Sequence, residues 1–167
     1  MMKILSIRSA VFRFGLIVII GALAYVLLDG VADAARPLRY RPDSQDIVIT
    51  NGKNRFNRPL YGGHTAFFIY ASDVPEIMLS LPGKGGTMRL GIVGADGSTW
   101  LHNADTVIAR YRAGAIRYEV RDKLLGPGTL TIDVAPAADA EGALVRVVGS
   151  ADAANVDLLW AFGGASG

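Results

Sequence analysis

No cysteine occurs in the 167 residues, which removes disulfides, thiolate nucleophiles, thiolate metal ligands and a lipid-attachment site together. Histidine is nearly as scarce. His64 and His102 are the only two, 38 positions apart, without the close spacing of a zinc site. A G-x-S-x-G nucleophile elbow is missing. Residues 83–87 (GKGGT) hold a Gly-Lys and a threonine but lack the spacing of a phosphate-cradling loop, so they read as a hairpin loop. Asp96-Gly97-Ser98 has the look of part of a calcium loop, yet an ordinary turn accounts for it. Many carboxylate pairs exist, but Asp73, Glu76 and Asp122 sit where turn formers and surface charges belong. The residues therefore name no catalytic group, no cofactor site and no metal site.

An excess of one charge sign is also lacking, once the N-terminus is set aside. Removing Lys3, Arg8 and Arg13 from 17 basic residues, and Asp29 and Asp33 from 15 acidic ones, leaves a surplus of one positive charge. That argues against a nucleic-acid or anionic-membrane surface, for which a basic stripe is expected.

What is present begins with an export signal. Lys3, Arg8 and Arg13 precede residues 14–28 (FGLIVIIGALAYVLL), an uncharged apolar run of 15 residues, and Ala32-Asp33-Ala34 supplies the small residues of a cleavage site after Ala34. A spanning helix needs about 20 apolar residues, so the run is short for one. The alternative is an uncleaved inner-membrane anchor over residues 14–32, oriented by its positive flank. Either route sends the remainder to the periplasm or outside the cell. Residues 1–34 are thus signal peptide or anchor, and the membrane is a partner only through an uncleaved segment.

Residues 35–45 (ARPLRYRPDSQ) carry two prolines and three arginines without an apolar period, and read as a linker. From Asp46 the chain becomes a series of short alternating runs. Ile116, Tyr118 and Val120 share one face while Arg117, Glu119 and Arg121 share the other, and Leu130, Ile132 and Val134 repeat the pattern. Ala113-Gly114 makes a tight hairpin between residues 106–112 and 115–121. Residues 135–142 have the composition of a helical turn, but Pro136 and Gly142 bracket them too closely for a helix. About nine or ten strands spaced 8 to 13 residues apart predict an all-β antiparallel sandwich over residues 46–167. The last run, with Leu158, Leu159, Trp160 and Phe162, has the apolar load of a strand inside a sheet.

One stretch stands out from this rhythm. Residues 51–63 (NGKNRFNRPLYGG) concentrate amides, guanidiniums and aromatics after the first strand. Asn51, Asn54 and Asn57 with Arg55 and Arg58 offer donors suited to sugar hydroxyls or carboxylates, and Phe56 and Tyr61 could stack on a pyranose face. The competing use is structural or interdomain, with Phe56 and Leu60 plugging the sandwich and the arginines paired to Asp46, Asp73 or Glu76. Both uses stay open at this point, and Lys53 and Pro59 receive no role.

That stretch, with residues 75–86 (PEIMLSLPGKGG), 109–114 (ARYRAG), 118–128 (YEVRDKLLGPG) and the closing WAFGGASG, resembles the N-terminal region of large secreted bacterial proteins. These are classed under a domain of unknown function and are similar to six-hairpin (α/α)6 glycosidases. The resemblance implies an accessory sandwich preceding a helical domain that holds the catalytic carboxylates, and a record that stops before that domain. It carries over no catalytic residue. The expected function is a non-catalytic accessory domain of an exported polysaccharide-processing protein, whose partners are the helical domain and a polysaccharide. The alternative is a stand-alone secreted or anchored carbohydrate-binding module.

Overall fold

Alternation of buried and exposed side chains persists along most of the chain, and two antiparallel sheets result. The computed structural model describes residues 39–63 and 65–164. The export signal, its cleavage site and the anchor lie outside the described residues, as do most of the linker, His64 and residues 165–167.

In chain order the strands are β1 Arg41–Asp43, β2 Asp46–Thr50, β3 Arg58–Tyr61, β4 Phe68–Ala71, β5 Glu76–Leu81 and β6 Lys84–Gly94. They continue as β7 Gly97–Trp100, β8 Thr106–Arg112, β9 Ala115–Arg121, β10 Leu130–Pro136, β11 Ala143–Gly149 and β12 Asp157–Gly163. Two single-turn 3-10 helices, Leu101–Asn103 and Lys123–Leu125, interrupt the series. One sheet runs β1-β2-β8-β9-β10-β11 and the other β12-β6-β5-β4-β3, with β7 also on β6. Both are six-stranded. Because β12 pairs with residues 87–93 of β6, overlapping the stretches taken by β5 and β7, it must lie on the opposite side of β6 from them.

The inward set is the one the alternation predicts. Ile116, Tyr118 and Val120 sit opposite Val134, Ile132 and Leu130 on one side and Tyr111, Ala109 and Val107 on the other. They join Leu60, Ile69, Ile77, Leu90 and Ile92 of the second sheet in one hydrophobic cluster. The two sheets thus share a core, as in a sandwich. On the outer face of the first sheet, Arg112 pairs with Asp46 at 2.7 Å, Arg117 with Asp133 at 2.6 Å, and Arg110 with both Asp43 and Glu119. Exposed pairs of this kind add about 0 to 1 kcal/mol each.

Three short strands exceed the predicted nine or ten. Arg41–Asp43, which its composition marks as linker, forms β1, and Arg58–Tyr61 makes the supposed loop of residues 51–63 partly a strand. The loop over residues 82–86 is shorter than expected. Leu81 pairs with Lys84, so only Pro82 and Gly83 turn, and Gly83 takes the positive φ of 71° that the turn requires. Residues 137–142 form a bend closed by the Ala137 N–H donating to the Gly142 carbonyl at 2.9 Å, not a helix. The largest departure is β12. It pairs with β6 as a strand should, but it ends its sheet, and every one of its residues is exposed.

Candidate functional site

The Asn-Gly at 51 ends β2 because Asn51 adopts a left-handed φ of 50° and uses its own peptide to replace the broken ladder. Its N–H donates to the Val107 carbonyl at 2.8 Å, and its Oδ1 accepts from the Val107 N–H at 2.9 Å. Gly52 follows for want of space. A Cβ there would come within 2.5 Å of the Asp73 Cβ.

Asp73 is the reason the chain comes so close. Its buried carboxylate accepts from the Asn54 N–H at 2.9 Å, the Tyr40 hydroxyl at 3.0 Å and the Asn57 amide at 3.4 Å. Asn54 and Asn57 also donate their side-chain amides to Tyr40, at 2.7 and 3.2 Å. Ser72 accepts from the Phe56 N–H at 2.8 Å, which holds Phe56 in its left-handed φ of 51°. Arg58 lies over the Tyr40 ring at 4.4 Å and the Tyr111 ring at 5.5 Å. A buried carboxylate needs several donors to offset its lost hydration, and residues 54–57 supply them.

One strand further in, Glu76 is wholly buried yet faces outward from the second sheet, opposite Arg89. Arg89 Nε reaches its Oε1 at 2.7 Å and Arg55 Nη2 reaches its Oε2 at 2.7 Å. Both arginine side chains remain 46% exposed. Cross-strand partners share a face, so Gly91 and Trp100 join Arg89, together with Leu159 and Ala161 of β12. A Cβ on Gly91 would lie 3.2 Å from Cε3 of Trp100, so the glycine makes room for the indole to rest across β6. His102 is nearly parallel to that indole, at 16° and 6.4 Å between centroids. Its Nδ1 is buried without a hydrogen-bond partner. Burial holds His102 below the ordinary histidine value; Glu76 pulls the other way, and Arg55 and Arg89 reinforce the depression.

The structure therefore divides the seven residues singled out by composition. Asn51, Asn54, Phe56 and Asn57 spend hydrogen-bonding groups on the fold itself. Arg55 and Arg58 are positioned by Glu76 and by two tyrosines, and Tyr61 is exposed at 70%, 6.1 Å from Phe68. Leu60 plugs the core as the structural reading predicts, whereas Phe56 is only half buried. Trp100 and Arg89 escape sequence reasoning, and His102 enters it only as one of two widely separated histidines. The one signal for Trp100 is the Gly97-Ser98-Thr99-Trp100 run after a turn, which is too short to mark a strand.

Elsewhere, a groove of about 520 Å³ opens on the outer face of the first sheet over Ala115 and Ala135, beside Arg112, Arg117 and Arg146. Among the described residues no group of three or more histidines and carboxylates could hold a metal ion.

Comparison with known families gives one match, to the family described as Domain of unknown function (DUF4450), over residues 81–167. The chain belongs to this family. The DUF4450 match takes in β6 through β12 and so includes Arg89, Trp100, His102 and the exposed last strand, while residues 51–63 and Glu76 precede it. No curated protein and no solved structure matches the chain.

Proposed function

We propose that this chain is the accessory, non-catalytic β-sandwich of an exported polysaccharide-processing protein, seated through β12 against a helical domain of the same protein. The observation that carries the reading is the state of β12. Leu158, Leu159, Trp160 and Phe162 are 45 to 64% exposed, on both faces of a strand that, among the described residues, has no β neighbour on the side away from β6. Edge strands are ordinarily blunted by charge, proline, a bulge or a cover. Residues 158–163 carry no charge and no proline. Contiguous apolar surface of this kind marks a contact with other polypeptide.

The polysaccharide part of the reading rests on the likeness of residues 47–167 to the N-terminal regions of glycosidase-like secreted proteins. Sequencing the coding frame past Gly167 tests it. An open frame encoding helical hairpins is expected, and a stop codon directly after Gly167 would overturn it. The second reading, a self-contained carbohydrate-binding module, is favoured by a separate observation, the partly exposed Trp100 beside His102 on the face of the second sheet that also carries Arg89.

A further inference from the structure

Among the described residues, the arginines that pair with carboxylates fall into two kinds. On the first sheet, Arg110, Arg112 and Arg117 each face at least one carboxylate that is itself partly exposed, so an anion arriving from solvent would have to displace it. On the second sheet two arginines share a single carboxylate, Glu76, which is entirely buried and cannot be displaced outward. That leaves one positive charge uncompensated. A guanidinium has five N–H donors, and Glu76 takes one contact from each arginine. The remaining donors are held in place by a fixed anchor and have solvent before them.

Beside this clamp lies an apolar ring. Trp100 rests across Gly91, and the neighbouring positions on β12 are Leu159 and the small Ala161, so nothing bulky on that strand stands over Arg89. We propose that Trp100, Arg89 and Arg55 form a platform for an acidic polysaccharide, the indole taking the face of a sugar ring and the two guanidiniums taking its carboxylate or sulfate. Planar forks match such oxyanions through paired N–H bonds, and an indole face suits the apolar side of a pyranose. Because Glu76 Oε1 accepts from Arg89 Nε, that fork is oriented before any ligand arrives, while Arg55 is held near Glu76 Oε2 by charge without a hydrogen bond, so the entropy saved on binding is saved mainly at Arg89. With a surplus of one charge over the exported part and two guanidiniums at this spot, the platform lacks the basic stripe that nucleic acid requires.

Affinity electrophoresis of the full chain against polygalacturonate, dextran sulfate, neutral dextran and a single-stranded oligonucleotide tests it. Retardation by one or both of the acidic polysaccharides is expected, the carboxylate and sulfate arms showing which anion is read, with neutral dextran and the oligonucleotide at least tenfold weaker. Trp100→Ala and Arg89→Lys should each weaken binding at least tenfold. The lysine variant keeps a cation on Glu76, so its loss of binding is not a loss of fold, which an unchanged melting temperature verifies. Arg146→Ala, on the other sheet, should bind as the parent does. Three results would each overturn the platform: no retardation by either polyanion, equal binding of the oligonucleotide, or a loss in Arg146→Ala matching that in Arg89→Lys. None of them bears on the docking of β12, which Trp160 reports separately.

Discussion

Tyr118 ties the two sheets together with a single hydrogen bond, its hydroxyl donating to the Ser72 carbonyl at 2.8 Å in the buried interior. Burial pushes the phenol far above the ordinary tyrosine value, so it remains a donor at any pH the fold survives. Tyr118→Phe should cost about 1 to 3 kcal/mol, because it strands a buried carbonyl. In urea the midpoint should fall while the slope stays constant, and an unmoved midpoint would contradict the bond. His102 makes the second residue-scale prediction. Its folded value lies below the ordinary 6.5, so the fold favours the neutral ring. The stability linked to that ring is fully present above about pH 6.5 and is lost as the pH falls toward the depressed folded value. Replacing His102 with glutamine should flatten the stability profile as the pH falls below 6.5; a profile as steep as the parent's would sink the assignment. At this scale the sequence is only partly legible. Asn51-Gly52 announces a turn by its own chemistry, but nothing local shows that Asp73, 19 positions beyond Asn54, fixes the following loop. Glu76 is one of three carboxylates that the structural reading offers to the arginines of residues 51–63, and only the fold selects it for Arg55 and brings Arg89 to it as well.

Among the elements, the long alternating strands could be read directly and the short ones could not, for a reason visible in β1 and β3. Both contain proline, Arg-Pro-Asp and Arg-Pro-Leu-Tyr, and both end their sheets. Proline cannot donate to a ladder, so it argues against a strand in general and is tolerated at an edge. With three and four residues there is no period to outweigh it. β7 fails to announce itself differently, because Gly97 and Ser98 follow directly on a turn and leave only Thr99 and Trp100 as strand formers. β12 shows the reverse. Its apolar residues predict the strand correctly, yet alternation cannot say whether a neighbour covers them. In the chain by itself that edge should drive association between copies. Trp160→Lys should lower the self-association seen by sedimentation velocity while changing stability by no more than about 0.5 kcal/mol, as exposed substitutions do. Association unchanged by the lysine would place the sticky surface elsewhere.

For the whole molecule, two sheets close over one cluster and leave their polar work on the outside. The first sheet carries a set of ion pairs answered locally, the second a buried carboxylate with two outward arginines and an indole. Fold class and the inward face of most strands follow from periodicity alone. The distribution of function over surfaces does not, because it depends on which strands lie at an edge and which residues the register sets side by side. The central claim is that β12 is covered in the working protein. With Trp100 changed to phenylalanine, Trp160 is the only tryptophan left in the 167 residues, and in the longer product its signal is isolated as the difference from a companion variant that also carries Trp160→Phe. Its emission and acrylamide quenching can then be compared between the 167-residue chain and the product of the complete reading frame. The account predicts red-shifted, readily quenched emission in the chain alone and blue-shifted, protected emission in the complete product. Equal exposure of Trp160 in both would contradict it.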